Sequence, residues 1–285
     1  MSDTSVAVRG VSLTAMRARR DPAAAGVPVA ASTALHPALT GAPQPAVVVG
    51  TPTGAVYLRT ASGELLAVLV PGAARLPMGA VVGDRDALRR RPGPGQRGYV
   101  GAGRIDAGCL SAYVVRWWDP RPALPRPRAG VLAANLGGGQ ALSGRREAVQ
   151  ALAAALRDNT QAAMSDAVRG LVGLGSGLTP SGDDVLIGLV SALVCLGHPD
   201  AGRVTGCVQR AAADRTTDLS LALLWHASLG QCIGEVGHLL RALSGVGDLP
   251  AAHRRLLAVG HSSGGALCLG VLLGAEAVAR AAQHR

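Results

Sequence analysis

Only 2% of this 285-residue chain is aromatic and phenylalanine is absent, yet 48% of it is hydrophobic. The core must therefore be filled by Leu, Val and Ala. Side chains of that size favour helices packed closely together, ridge into groove. The apolar content suffices for one large or two modest domains.

Apolar periodicity divides the chain into two textures. Residues 46–50, 55–59, 65–70, 80–82 and 110–118 read as strands, separated by turn chemistry such as Thr51-Pro52-Thr53-Gly54. Residues 1–33 read as a mixed entry, part strand and part loop, and 89–98 as an exposed Pro/Gly/Arg loop. A proline-rich stretch, 119–130, reads as a linker. The triple glycine 137–139 reads as a connector or, less readily, a ligand cradle. Helical patterns follow at 145–158, 161–171, 182–196, 201–214, 218–229, 231–243, 251–259 and 264–283. The expectation is an α+β protein, with a β-rich domain at 1–128 and an all-helical domain at 129–285.

The formal charge is +10, and every basic residue other than histidine is arginine. Without lysine there is no Schiff base and no P-loop lysine, so any anion clamp must use Arg, hydroxyls or backbone N–H groups. Arg85, Arg89, Arg90, Arg91, Arg97 and Arg104 cluster in sequence, but the stacking aromatics of single-strand binders are sparse and no DNA-binding motif appears. A solvated arginine surface is expected rather than a nucleic-acid partner. The five cysteines lack metal spacing, and their odd number with no signal peptide suits a reducing cytoplasm. The run 185–196 is too short to span a bilayer. With 264–279, interrupted by Glu276, it reads as a buried helix, and no membrane partner is expected.

Chemistry is concentrated at 173–184, which reads Gly-Leu-Gly-Ser-Gly-Leu-Thr-Pro-Ser-Gly-Asp-Asp and runs into an apolar helix. Gly175 and Gly177 would let backbone approach a ligand. A helix N-terminus at Ser181 and Gly182 offers free N–H groups to an anion, flanked by the Thr179 and Ser181 hydroxyls. Asp183 and Asp184 would hold a cation such as Mg²⁺ or move a proton. The plainer reading is a capping box, with Ser181 as N-cap and Asp184 three residues on. It accounts for the acids but not for the glycines.

The segment 181–190 aligns with 263–272. Both begin Ser-Gly, both become apolar helices, and Gly188 matches Gly270. This is the pattern of a degenerate repeat. His261, Ser262 and Ser263 replace Thr179, Pro180 and Ser181, and Gly264 replaces Gly182. If the copies pair, two helix N-termini face one cleft, one acidic and one bearing His261, with Gly188 and Gly270 allowing close packing.

These residues resemble the AllH-like family. Its hallmark is similar to 173–184 nearly letter for letter, and a later Gly-His-x-Ser-Gly element is matched by Gly260, His261, Ser262, Ser263 and Gly264. A stretch with Thr and Ser is similar to 216–220. Ser176 departs from a common proline, and Ala266 from a polar residue. The resemblance covers the helical half well and the β-rich half in outline. It implies a subunit of a carbamoyltransferase of allantoin and purine catabolism, converting oxamate and carbamoyl phosphate to oxalurate and phosphate. It also implies a partner subunit similar to acyl-CoA synthetases.

Two functions follow. In the first, a small carboxylate or acyl phosphate binds at Gly175, Gly177, Thr179, Ser181, Gly182, Ser262, Ser263 and Gly264. Asp183, Asp184 and His261 then act as catalytic groups. Adjacent helix positions diverge by about 100°, so only one of the two acids would face the ligand. In the second, the chain is a non-catalytic metabolite-binding or scaffold subunit, as the lack of a full nucleophile, acid and base set suggests.

Overall fold

The computed structural model describes residues 26–136, 147–158 and 160–283. Most of the expected entry segment and the triple glycine at 137–139 lie outside them.

Alternating and continuous apolar runs form eight strands: β1 (Val27–Ser32), β2 (Gln44–Gly50), β3 (Ala55–Thr60), β4 (Leu65–Leu69), β5 (Gly79–Val82), β6 (Arg97–Gly101), β7 (Arg104–Ala107) and β8 (Leu110–Trp118). They close into a barrel in the order β1-β5-β4-β3-β2-β6-β7-β8. The meander β2-β3-β4 is antiparallel, as its turn residues imply, with Val48 opposite Leu58 and Val56 opposite Val68. Closure comes from distant pairings. β1 runs parallel to β8 and antiparallel to β5, and β4 runs parallel to β5. A closed barrel leaves no free edge. Its interior is aliphatic, with Val29, Val56, Leu58, Leu66, Val68, Val100 and Ile105 all at 0% exposure.

β1 is the strand part of the expected entry segment, and it supplies the seam on which the barrel closes. Other expectations need correction. The end of the expected 89–98 loop, with residues beyond it, forms the hairpin β6-β7, paired from Gly98 opposite Ala107 to Gly101 opposite Arg104. The β-rich region also contains a short helix, α1 (His36–Thr40).

The helical region comprises α2 (Ala129–Asn135), α3 (Glu147–Asp158), α4 (Gln161–Leu171), α5 (Ser181–Cys195), α6 (Ala201–Ala212), α7 (Asp218–Ser228), α8 (Gly234–Leu243), α9 (Leu249–Leu257) and α10 (Ser263–Gln283). The short α2 begins inside the expected linker. The chain is thus α+β, a β-barrel followed by helices. Every residue of α5 from Gly182 to Leu193 is buried, as expected of a helix that is apolar all round. It is packed by α4, α6, α7, α8 and, most extensively, α10. By length and composition α10 is one helix among the described residues that could cross a membrane, but 56% of its apolar window is buried inside the protein.

The α5–α10 contact is nearly backbone to backbone. A Cβ on Gly188 would lie 2.2 Å from the Leu267 carbonyl oxygen, and one on Gly270 would lie 2.0 Å from that of Val185. Gly188 and Gly270 are equivalent in the two copies of the repeat, and so are Val185 and Leu267. The two helices therefore cross with local two-fold pseudosymmetry. The relation extends to their first turns. A Cβ on Gly182 would meet the Leu171 carbonyl oxygen at the end of α4, and one on Gly264 would meet that of Leu256 in α9.

The barrel and helices meet along α7 and α8. The Gly234 amide donates to Arg75 O (2.9 Å), the Cys232 amide to Pro120 O (3.1 Å) and the Arg241 guanidinium to Ala123 O (2.6 Å).

Candidate functional site

The loop 173–180 turns through three glycines with positive φ, Gly173, Gly175 and Gly177. Gly175 has a specific reason to be glycine. A Cβ there would lie 2.8 Å from the Ser181 backbone nitrogen and cover the amide at the mouth of α5.

The N-cap of α5 is Pro180, with no side-chain cap bond, so Ser181 occupies the first helical turn. This corrects the expected capping box. The Gly182 amide donates to Leu174 O (2.8 Å) and the Asp184 amide to Pro180 O (3.1 Å). Among the described residues the Ser181 and Asp183 amides have no acceptor, so the Gly182 amide drops out of the expected set of anion donors.

The adjacent acids have different surroundings. Asp183 is at 0% exposure. It accepts from the Gly173 amide (2.8 Å) through one oxygen and from the Thr216 hydroxyl through the other. It thereby ties the loop before α5 to the segment before α7. Thr217 adds a second tie: its hydroxyl donates to Leu178 O (2.6 Å) and accepts from the Ser220 amide (3.1 Å).

Asp184, at 1% exposure, meets the other helix. The Thr179 hydroxyl donates to Asp184 Oδ2 (3.3 Å) and lies 3.2 Å from the Ser263 hydroxyl at the start of α10. Burial raises the Asp184 pKa to about 7. The Ser263 and Thr179 hydroxyls oppose that shift, and the neighbouring Asp183 charge adds to it. Burial disfavours the charged form, while hydrogen bonds to the carboxylate favour it. The outcome is a carboxyl poised to exchange a proton near neutrality.

Thr179, Asp184 and Ser263 are thus brought together at the junction of the two helix starts. Gly182 and Gly264 provide the close packing beneath them. Gly175 and Gly177 lie on the exposed loop, and Ser181 is half-buried. His261 and Ser262 lie exposed in the turn before α10, and the His261 ring makes no hydrogen bond among the described residues. Thr216 and Thr217 received no role from sequence, because only the fold brings them to Asp183 and Leu178.

Among the described residues no group of three or more His, Cys, Asp and Glu side chains could hold a metal ion. Both oxygens of Asp183 are engaged by protein donors.

No solved structure matches the chain. Residues 171–275, from the end of α4 into α10, match the family model described as oxamate carbamoyltransferase subunit AllH, which is the family that the 173–184 motif resembles.

Proposed function

We propose that this protein is a subunit of a carbamoyltransferase-type enzyme and that a small carboxylate, amide or acyl phosphate binds where α5 and α10 begin. The observation that carries this reading is Asp184, buried, with a pKa near 7 and flanked by two hydroxyls. A general acid–base group works best with its pKa near the operating pH. Support also comes from the matched family, whose name describes a subunit of oxamate carbamoyltransferase.

In this reading the ligand's anionic group rests on the free Ser181 amide and the loop amide of Gly177, favoured by the positive end of the α5 dipole. The Ser181 hydroxyl donates a further bond, while the Thr179 and Ser263 hydroxyls hold the Asp184 carboxylate. Asp184 accepts a proton from the amide nitrogen of an oxamate-like substrate as that nitrogen attacks the carbamoyl carbon, and phosphate leaves. Such a transfer needs stabilisation of charge at the carbonyl and phosphate more than a covalent nucleophile. Asp183 positions the loop. No step runs through a metal.

A second reading, a metabolite-binding subunit whose partner completes the site, is favoured by the surroundings of His261. That residue is exposed at the mouth of the junction, and no base other than the acids adjoins Asp184 among the described residues. A subunit by nature has partners, and one of them would bring its own groups to this mouth in the cytoplasm, where such a complex would act.

The test is a ligand titration and turnover assay of wild type and Asp184→Asn with carbamoyl phosphate, oxamate and oxalurate, alone and with partner subunits. Ligand at 100 times its dissociation constant stabilises a protein by about 2.7 kcal/mol. Stabilisation of the wild type, with turnover lost in Asp184→Asn, is the expected result. Unchanged turnover in the mutant would discard Asp184 as the proton carrier and leave the non-catalytic reading.

A further inference from the structure

A cavity of about 450 Å³ lies between the barrel and α7 and shares no residue with the Asp184 cluster. Its volume is in the range of small-molecule sites. Six residues decide what it would hold: Arg59, Glu64, Asp218, Trp225, His226 and Gln231.

Trp225 lines this cavity with 58% of its surface exposed. In a chain so poor in aromatics, an indole left out of the core beside a cavity is a stacking platform. Arg59 is paired with Asp218, but the two side chains are 39% and 64% exposed. An exposed pair of this kind is weak and exchangeable. An incoming carboxylate can take the place of Asp218 on the guanidinium, in a bidentate contact.

The third feature is a polar edge. His226 Nδ1 and Gln231 Oε1 are 2.7 Å apart. Burial lowers the His226 pKa, which keeps the ring neutral near pH 7. With Nδ1–H donating to the amide oxygen, His226 Nε2 remains an acceptor and the Gln231 NH₂ a donor. An acceptor beside a donor matches the N–H and C=O of a cyclic amide. The charges around the cavity, Arg59 against Asp218 and Glu64, disfavour a polyanion such as a nucleoside triphosphate.

We propose that this cavity is a second ligand site, specific for a planar heterocyclic carboxylate that stacks on Trp225, pairs with Arg59 and bonds His226 and Gln231 through a ring amide. The site is independent of the chemistry at Asp184. A smaller cavity of about 320 Å³, which shares Leu65 and Asp218 with it, is lined by Leu178 and Thr217 of the motif region.

The test is calorimetric titration of the full chain with orotate, a pyrimidine carboxylate, followed in parallel by tryptophan fluorescence. Benzoate serves as the carboxylate without a ring amide. Wild type binds orotate saturably, and benzoate binds at least about tenfold more weakly, because the buried polar edge is left unpaired. Arg59→Gln weakens orotate by about tenfold or more. Asp218→Asn tightens it several-fold by removing the competing carboxylate, a gain that misfolding cannot produce. Asp184→Asn leaves it unchanged. The proposal fails if orotate gives no saturable heat at millimolar concentration in either wild type or Asp218→Asn. It also fails if binding survives Arg59→Gln but is lost in Asp184→Asn, which would place the ligand at the helix junction.

Discussion

The hydroxyls of Thr179 and Ser263 stand 3.2 Å apart, joining the loop before α5 to the first residue of α10. Both lower the pKa of Asp184, against the dominant effect of burial. Replacing Ser263 by Ala or Thr179 by Val removes a bond to the ionised carboxylate. The Asp184 pKa should then rise above its value of about 7. Carbon-detected NMR titration of the Asp184 carboxyl in wild type and each variant measures it. A downward shift would show that the hydroxyls do not stabilise the carboxylate.

Asp184 also makes stability depend on pH, with a definite sign. Its folded pKa, about 7, lies above the ordinary aspartate value of 3.8, so between those values the native state holds more protons than the unfolded one. Its contribution is full below pH ~4, falls as pH rises towards 7, and is lost above. The slope reaches at most about 1.4 kcal/mol per pH unit. Asn mimics the protonated acid, so the difference between wild type and Asp184→Asn should widen in the mutant's favour from acid to neutral pH. Urea unfolding at a series of pH values reads this directly.

Asp183 should behave differently from its neighbour. It accepts from the Gly173 amide and the Thr216 hydroxyl at full burial. Bonds to a charged acceptor contribute about 1.5–3 kcal/mol each, so Asp183→Ala should cost about 3 kcal/mol or more and loosen the loop. Chemical denaturation and amide exchange across 173–178 follow the two effects. Equal stability of Asp183→Ala and wild type would contradict the anchoring role.

Gly188 and Gly270 set the distance between α5 and α10. An Ala at either would press its Cβ to within 2.2 Å or less of a carbonyl oxygen, and overpacking of this kind costs about 1–3 kcal/mol or more. The melting temperature should fall by roughly 2–4 °C per kcal/mol, the scaling for domains of 150–250 residues. Gly265, also in α10, would place its Cβ in open space. Gly265→Ala should be neutral or stabilising, by about 0.4–1 kcal/mol, because alanine has less freedom to lose on folding. A melting series of the three variants tests the packing against simple helix propensity.

What could be read from the chain were its local patterns. Apolar spacing located α3 to α10 to within a few residues, with 161–171 matching α4, but not the short α1 and α2; the turn residues around Gly54 and Gly63 marked the meander β2-β3-β4. The repeat was legible because two Ser-Gly helix starts carry a glycine at the same offset. That glycine proved to be the contact point between α5 and α10. These features depend on residues close together in sequence, whose preferences for turn, strand or helix act without the rest of the fold.

Tertiary structure alone decided the remainder. Barrel closure pairs β1 with β8 across most of the β-rich region, and the hairpin β6-β7 acquires its partner only when β2 lies alongside. The sequence implies that only one of Asp183 and Asp184 faces a ligand, but not which one. The helix rotation between them turns one towards Gly173 and Thr216 and the other towards Thr179 and Ser263. Burial then raises the pKa of Asp184 to about 7. Desolvation and long-range hydrogen bonds are properties of surroundings assembled from distant segments, so a carboxylate's chemistry is settled only when those segments meet.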